Sequence, residues 1–361
     1  MRVVSSAHFI SGSEVKELEK QLAEYVGVKH CITCANGTDA ITIALRAWGV
    51  DQGDAVFVPD FTFFSSGECP ADEDATPIFV DVDQRTYNID PVKLEEAIQR
   101  VIKEGKYKPT AVIAVDLFGL PADYIKIKPI CDKYDLLLLE DGAQGFGGRI
   151  NGKMACSFGD VSTTSFFPAK PLGCYGDGGA IFTDNDEWAD MIRSICVHGK
   201  DTSNPNDSNA KYNNIRLGMN SRLDTLQAAI LLPKFRAFVD YELEDINKIA
   251  GWYTNCLDGT TLVIPEIKDG FYSSWAQYTI QLPDGTDRKV LQEKLKIAGI
   301  PSMVYYMKPM HLQGAFVGTD SADADCPVTK RLCSTVLSLP LDPYKRIEDV
   351  EYVTENLKKL L

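Results

Sequence analysis

The chain has 361 residues, 45% of them hydrophobic and 24% charged, with a formal net charge of −14 and a pI near 4.8. This length exceeds what one hydrophobic core usually organises, so two domains are expected. The acidic balance excludes broad contact with nucleic acid or an anionic membrane, and any anionic ligand must be held by local groups.

At the start of the chain, Met1 to Ser13 has neither the basic start nor the apolar core of a signal peptide. Val15, Leu18, Leu22 and Val26 then recur at helical spacing, predicting an amphipathic N-terminal helix over 14–26, capped by Ser11 or Ser13 and ended by Gly27. Residues 30–35 follow as an apolar strand containing Cys31 and Cys34. A zinc site would need a second such pair or matched histidines; the sequence has neither, so both read as buried strand cysteines. The ten cysteines form no dense framework, the pattern of a reduced, cytoplasmic protein.

Helical and strand segments then alternate: helix 38–48, strands 55–59 and 77–82, helix 91–105 opened by Asp90-Pro91, strand 110–117, helix 123–134 and strand 136–139. Such alternation predicts an α/β fold with a largely parallel sheet covered on both faces. The run Leu136 to Leu139 is continuous, the mark of a strand buried on both sides, and it ends in Glu140-Asp141. In open α/β sheets the ligand crevice lies beyond the carboxyl ends of the strands, where these carboxylates would sit. Strands 162–167 and 179–184 come next, joined by the glycine-rich stretch Gly173 to Gly179. Residues 201–209 are polar and read as an exposed loop. A long helical pattern starts near Arg222. Beyond 245 the style becomes α+β, with strands at 275–282 and 302–306 and helices at 287–298 and 347–360. The boundary is therefore placed between a large domain, 1–244, and a small one, 245–361. No stretch has the roughly 18 apolar residues of a membrane span.

Three places carry candidate chemistry. Lys170 follows Ser165-Phe166-Phe167-Pro168-Ala169, between a predicted strand and the glycine-rich loop. A lone lysine is normally a solvated surface residue. Here its neighbours are apolar or small and no charge follows until Asp177, a setting that lowers the amine pKa and suits Schiff-base chemistry. Asp141, in Glu140-Asp141-Gly142-Ala143-Gln144, can pair with a protonated pyridine nitrogen and keep such a ring electron-withdrawing; it can equally cap a helix. Asn36-Gly37-Thr38-Asp39-Ala40 opens a helix whose free N–H groups and dipole favour a phosphate, with the Thr38 hydroxyl as an extra donor. A cap without a ligand is the alternative.

Together with Pro59-Asp60-Phe61-Thr62-Phe63, Asp81-Val82-Asp83, Tyr87-Asn88-Ile89-Asp90, Gly176-Asp177-Gly178-Gly179-Ala180 and Gly218-Met219-Asn220-Ser221-Arg222-Leu223-Asp224, these motifs resemble the DegT-type sugar aminotransferases. The resemblance runs from Phe9 to the C-terminus. It implies the fold of the type I pyridoxal-phosphate (PLP) transferases: a large domain with a mostly parallel seven-stranded sheet between helices, plus a smaller C-terminal α+β domain. It also implies that Lys170 carries PLP as an imine and serves as general base, with Asp141 meeting the pyridine nitrogen. Gln144 would bond the cofactor hydroxyl and Phe63 would stack on the ring. Gly37, Thr38, the Asp39 backbone and Ser165 would hold the phosphate. Asn220 matches an asparagine contributed by the partner subunit, which implies a homodimer with shared active sites.

Tyr305 and Tyr306 are the implied sugar-side contacts. Arg222 is a candidate for a substrate carboxylate or phosphate or, equally, an interface ion pair; His311 is either a ligand contact or a surface residue, and no metal is implied. The implied reaction moves an amino group from L-glutamate to a nucleotide-linked keto-sugar. Phe166 to Gly179 and Asn220 to Leu232 look most like the branch that aminates C3 of UDP-linked 3-keto-uronic sugars; a ketone at C4 and a dTDP carrier stay open. The chain departs from the family pattern at Tyr305-Tyr306-Met307, where relatives often show His-Tyr-Pro, and at Asp116, where many have histidine or serine. The same fold hosts PLP-dependent dehydratases, which replace the lysine with histidine, and non-catalytic PLP-binding regulators. The intact Lys170 argues against the first, and the set Lys170, Asp141 and Gln144 argues against the second.

Overall fold

A computed structural model of the chain describes residues 2–202 and 213–361, so most of the polar loop expected at 201–209 lies outside the described residues. Helix α1 (Arg2–Ser6) precedes α2 (Ser13–Val26), which buries Leu18 and Leu22 and closes on Gly27 in the left-handed region at φ 83°. Strand β1 (His30–Cys34) places Cys31 and Cys34 in the core, and leads to α3 (Gly37–Ala47). The Asn36 side chain caps α3 by accepting from the Asp39 N–H at 2.8 Å.

β2 (Asp54–Pro59), α4 (Ser65–Asp72) and β3 (Thr76–Val80) follow. The sequence reading contains no counterpart of α4, because the helix is only eight residues long and carries Pro70 inside it. α5 (Pro91–Glu104) begins as expected: Asp90 accepts from the Val92 and Lys93 N–H groups, and Pro91 occupies the first turn. β4 (Lys108–Val115), α6 (Tyr124–Lys133) and β5 (Leu137–Asp141) complete the alternating half. The short strands β6 (Arg149–Ile150) and β7 (Lys153–Met154) form a hairpin, before β8 (Val161–Ser165), β9 (Gly179–Thr183), α7 (Asp186–Ile195) and α8 (Thr225–Ala237).

The main sheet has seven strands in the order β1-β9-β8-β5-β4-β2-β3. β9 runs antiparallel to both its neighbours, while the other pairs are parallel. The loop after β8 turns straight back at the carboxyl edge instead of crossing by a helix, which reverses β9. Successive β-strand residues enter opposite cores: Val56, Ile113 and Leu139 on one face, Phe57, Val112 and Leu138 on the other. Double-sided burial is the reason these strands read as unbroken apolar runs.

α8 continues through a π-helical turn, Phe238–Glu242, into α9 (Leu243–Leu257). The boundary expected at 244/245 therefore falls inside an unbroken helical run. A separate apolar cluster draws on α9, α10 (Arg288–Ile297), α12 (Ile347–Leu360), and the antiparallel pair β11 (Tyr278–Gln281) and β12 (Val336–Leu339). β10 (Phe271–Tyr272) instead pairs with β6. Met310 and Phe316, with Leu332 and Cys333 of α11 (Pro327–Thr335), pack into the main sheet's core, so residues beyond 245 feed both cores. The strand expected at 302–306 is reduced to one bridge, Met303 to Ser338. The chain leaves the sheet there because Tyr305 and Tyr306 turn toward the pocket described next, where Tyr306 packs on Phe61 and Phe63. Among the described residues no helix is long and apolar enough to cross a membrane.

Candidate active site

A cavity of about 690 Å³ opens at the carboxyl ends of β5 and β8. Asp141 ends β5, Ser165 ends β8, and Asn36 to Asp39 bring in the start of α3. Thr62, Phe63 and Ser65 enter after β2, Lys170 from the β8–β9 loop, and Gln277, Tyr305 and Tyr306 from the C-terminal part of the chain.

Lys170 lines this cavity, with its backbone N–H bonded to the Phe167 carbonyl at 2.8 Å. Burial lowers its pKa from the ordinary lysine value, and the Asp141 charge works against that shift. Burial raises the pKa of Asp141, opposed by the Ala143 N–H on Oδ1 at 3.1 Å, by Lys170 and by the Ser66 hydroxyl on Oδ2 at 3.5 Å. Ser66 Oγ lies 3.0 Å from Thr62 Oγ1, which ties the carboxylate to the loop after β2.

Glu140 is fully committed elsewhere. Its carboxylate accepts from the Cys156 and Phe158 N–H groups, both at 2.6 Å, and from Ser162 Oγ at 2.8 Å. Asp116, which the sequence reading leaves without a role, lies behind the pocket. Its Oδ1 accepts from the Ala122 N–H and the Tyr124 hydroxyl, while Oδ2 is buried without a partner. Burial and the charge of Glu140 push the Asp116 carboxyl well above the usual range, so Asp116 rather than the well-bonded Glu140 carries the proton of the pair. A Cβ on Gly145 would lie 2.3 Å from Asp116 Cβ and Oδ2, so only glycine lets the chain pass over this residue.

The start of α3 is built for an anion. A Cβ on Gly37 would sit 2.8 Å from Ser165 Cβ, so the helix start approaches the end of β8 as closely as a glycine permits. Thr38 Oγ1 and Ser65 Oγ are 2.7 Å apart, and the first-turn N–H groups of Gly37 and Thr38 have no acceptor within the helix. The Asp39 N–H, expected to face the phosphate, is instead taken by the Asn36 cap. This cradle of N–H groups and hydroxyls beside a half-buried lysine fits the phosphate and aldehyde of PLP.

At the other wall, Gln144 Oε1 accepts from the Phe118 N–H at 2.8 Å and Gln144 Nε2 donates to the Tyr306 hydroxyl at 3.2 Å. One amide N–H of Gln144 is left for a ligand oxygen. Phe63 stands at the rim, 54% exposed, with its ring 6.4 Å from that of Tyr306.

Three expected residues do not line this cavity. His311 is 2% exposed, with Nδ1 2.7 Å from Asp60 Oδ2 and its N–H on Asp60 Oδ1 at 2.8 Å. The turn Met310–Leu312 places His311 against Asp60 instead of on the cavity wall where a contact was expected, and this ties the C-terminal segment to the loop carrying Phe63. Cys326 completes this buried cluster, and burial raises the Asp60 carboxyl. Asn220 is exposed, forms a bridge with Val197 and accepts from the Arg222 guanidinium, so both lie outside their own chain's cavity. Sequence reasoning in turn missed Thr62, Ser65, Asp177 and Gln277. The two serines directly after Phe63-Phe64 were a usable signal for Ser65; nothing local marked Gln277.

The sequence profile of the DegT/DnrJ/EryC1/StrS aminotransferase family matches residues 1–358. The chain is similar to UDP-2-acetamido-2-deoxy-3-oxo-D-glucuronate aminotransferase of Pseudomonas aeruginosa, 45% identical over 95% of this chain and 89% of that one. It is also similar to a pleiotropic regulatory protein of Geobacillus stearothermophilus, 42% identical over 98% of this chain and 91% of that one. A crystal structure of a DegT/DnrJ/EryC1/StrS aminotransferase from Brucella abortus superposes with a TM-score of 0.93 at 45% identity, covering 99% of this chain and 93% of that one. With residues 1–358 matched and a lysine and an aspartate lining one cavity, the protein belongs to the DegT/DnrJ/EryC1/StrS aminotransferase family.

Proposed function

We propose that this protein transfers the amino group of L-glutamate to C3 of a UDP-linked keto-sugar, working as a homodimer with shared active sites. As a family member it is a PLP-dependent aminotransferase. The observation that carries the site assignment is the meeting of Lys170, Asp141 and the α3 cradle in one cavity. The sugar rests on the Pseudomonas relative, whose name specifies a UDP-linked 3-oxo substrate.

Bound here, PLP supplies an electrophilic carbonyl carbon and a conjugated ring that draws electrons from the substrate. The α3 N–H groups, Thr38 and Ser165 would hold its phosphate, the spare Gln144 N–H would meet its hydroxyl, and Phe63 would cover the ring. Asp141, kept in place by Ser66 and the Ala143 N–H, would pair with the ring nitrogen and keep a proton there. The Lys170 amine, biased toward its neutral form by burial, takes the Cα proton of glutamate. Water supplies the keto oxygen of the departing 2-oxoglutarate while the amino group stays in the site on the cofactor. The keto-sugar then enters the same cavity, takes that amino group and loses its ketone oxygen as water, and Lys170 delivers a proton to the carbon that held the ketone. One amine donor and one acceptor in alternation is ping-pong kinetics.

The position of Asn220 and Arg222 outside their own cavity supports a shared site, with both residues serving the partner subunit. Lys170→Met and Asn220→Ala subunits mixed under exchange should regain activity that neither has alone, since one site of each mixed dimer is intact. No recovery, in a mixture shown to exchange, would count against sharing.

A panel of UDP- and dTDP-linked 3-keto and 4-keto sugars with glutamate tests the substrate, with the UDP-linked 3-keto sugar expected to have the highest kcat/KM. The regulatory name of the Geobacillus relative favours a second reading, a PLP-binding regulator. Glutamate alone separates the two: an enzyme converts the cofactor absorbance to that of the amine form, and a regulator does not.

A further inference from the structure

We propose that Gln277 is a specificity residue of this pocket, whose side-chain carbonyl accepts a hydrogen bond from a hydroxyl or amide N–H of the keto-sugar and not from the amino donor. The proposal rests on the keto-sugar reading above.

Five buried side-chain polar atoms lack a partner among the described residues, and Gln277 Oε1 is the one on a residue lining the cavity. A buried acceptor left unpaired is unfavourable, so its persistence calls for a partner that arrives with the ligand. The backbone beneath it is firmly held. The Gln277 N–H reaches the Phe118 carbonyl at 3.4 Å, and the Phe118 N–H in turn donates to Gln144 Oε1 at 2.8 Å. Ser274 donates from its N–H to the Gly119 carbonyl at 2.9 Å and from its hydroxyl to the Gln144 carbonyl at 2.8 Å. Gly119 sits at φ 101°, where an added Cβ would come within 2.5 Å of the Trp275 nitrogen, so the 274–277 segment lies directly on the chain after β4. The Gln277 amide is thus presented from a fixed backbone that is also joined to Gln144.

Chemistry decides between the two substrates. Apart from the reacting amino group of the one and ketone of the other, glutamate and 2-oxoglutarate carry only carboxylates, which accept hydrogen bonds and offer none at neutral pH. An unpaired carbonyl has nothing to gain from them. A sugar ring offers hydroxyl donors, and an acetamido group offers an N–H. A site with a buried acceptor discriminates against an analogue lacking the matching donor, because the acceptor is then left bare.

The test uses the PLP-loaded enzyme and three measurements. With Gln277→Leu, KM for the keto-sugar is expected to rise about tenfold. The single-turnover rate with glutamate, read from the cofactor absorbance, is expected to stay at the wild-type value, which also shows that the variant folds and binds PLP. Gln277→Glu keeps the acceptor and should hold the sugar KM within about threefold of wild type. Among deoxy analogues of the sugar, the one lacking the paired hydroxyl should lose affinity with wild type and nothing further with Gln277→Leu.

An unchanged sugar KM in Gln277→Leu, with wild type active, overturns the contact and leaves the substrate class standing. Equal slowing of the glutamate half-reaction places Gln277 on the donor side and also overturns it. If Gln277→Glu fails as badly as Gln277→Leu, the amide donates instead of accepting. A wild-type enzyme that turns over no keto-sugar, while still reacting with glutamate, sinks the substrate class and this proposal with it.

Discussion

Replacing Lys170 with methionine is expected to reduce transamination by on the order of 10⁴-fold, the upper range for loss of a positioned general base. Borohydride reduction of the PLP-loaded wild type should leave a pyridoxyl label on Lys170, and a label elsewhere would sink the assignment. The same residue predicts a pH dependence. An ordinary lysine titrates near 10.5, and burial lowers Lys170 below that. As pH rises through the lowered value the amine becomes neutral, so the acid limb of kcat, which reports the substrate-bound enzyme in which Lys170 is a free amine, should lie below that of an unperturbed lysine. In terms of stability, the unfolded chain binds this proton more tightly than the folded one. Between the two pKa values the lysine therefore weakens the fold increasingly as pH falls, and below the lower value the penalty is constant. Lys170→Met, similar in volume and uncharged, removes that penalty. The apoprotein variant should unfold no more easily than wild type at neutral pH, so lost activity cannot be put down to lost structure.

The second large effect concerns stability. Glu140→Ala removes an acceptor from the buried N–H groups of Cys156 and Phe158 and from the Ser162 hydroxyl, with the Gly159 N–H a longer contact at 3.3 Å. Each donor stranded in the core costs about 1–3 kcal/mol, so a total of about 4 kcal/mol or more is expected in urea unfolding of the apoprotein. Glu140→Gln keeps one acceptor oxygen and should lose less. A loss below about 1 kcal/mol for the alanine variant would mean that these donors find other partners. Glu140 and Asp141 are adjacent in sequence and opposite in use. Strand alternation sends one into a structural network and the other into the cavity.

Much of this is legible in the sequence. The α3, α5 and β5 elements follow from local signals: Asn36 and Asp90 as caps, Pro91 in the first turn, and the leucine run buried on both faces. The cofactor half of the pocket was legible because its residues lie at strand ends and helix starts. There the backbone pattern itself locates a side chain, as with Asp141, Ser165 and Thr38.

Distance in sequence set the limit. His311 looked available as a lone histidine, yet its partner Asp60 is 251 positions away, and that pairing buries it. The domain boundary failed to appear as a break because one continuous helix carries the chain across it, leaving no loop composition to read. Asp116 acquired a role only when its neighbour Glu140, on the next strand, proved to be saturated with donors.

The sequence by itself determined the alternating α/β layout, the family and the group around Lys170, Asp141 and Thr38 that lines the cavity, because those depend on local periodicity and short motifs. The tertiary structure alone decided which side chains share a wall. It set Gln277, with an unpaired carbonyl, in the lining of the cavity that Lys170 and Asp141 also line, withdrew His311 into the core, and left Asn220 and Arg222 outside that cavity. Burial and pairing are properties of segments brought together across the fold, and no stretch of sequence records them.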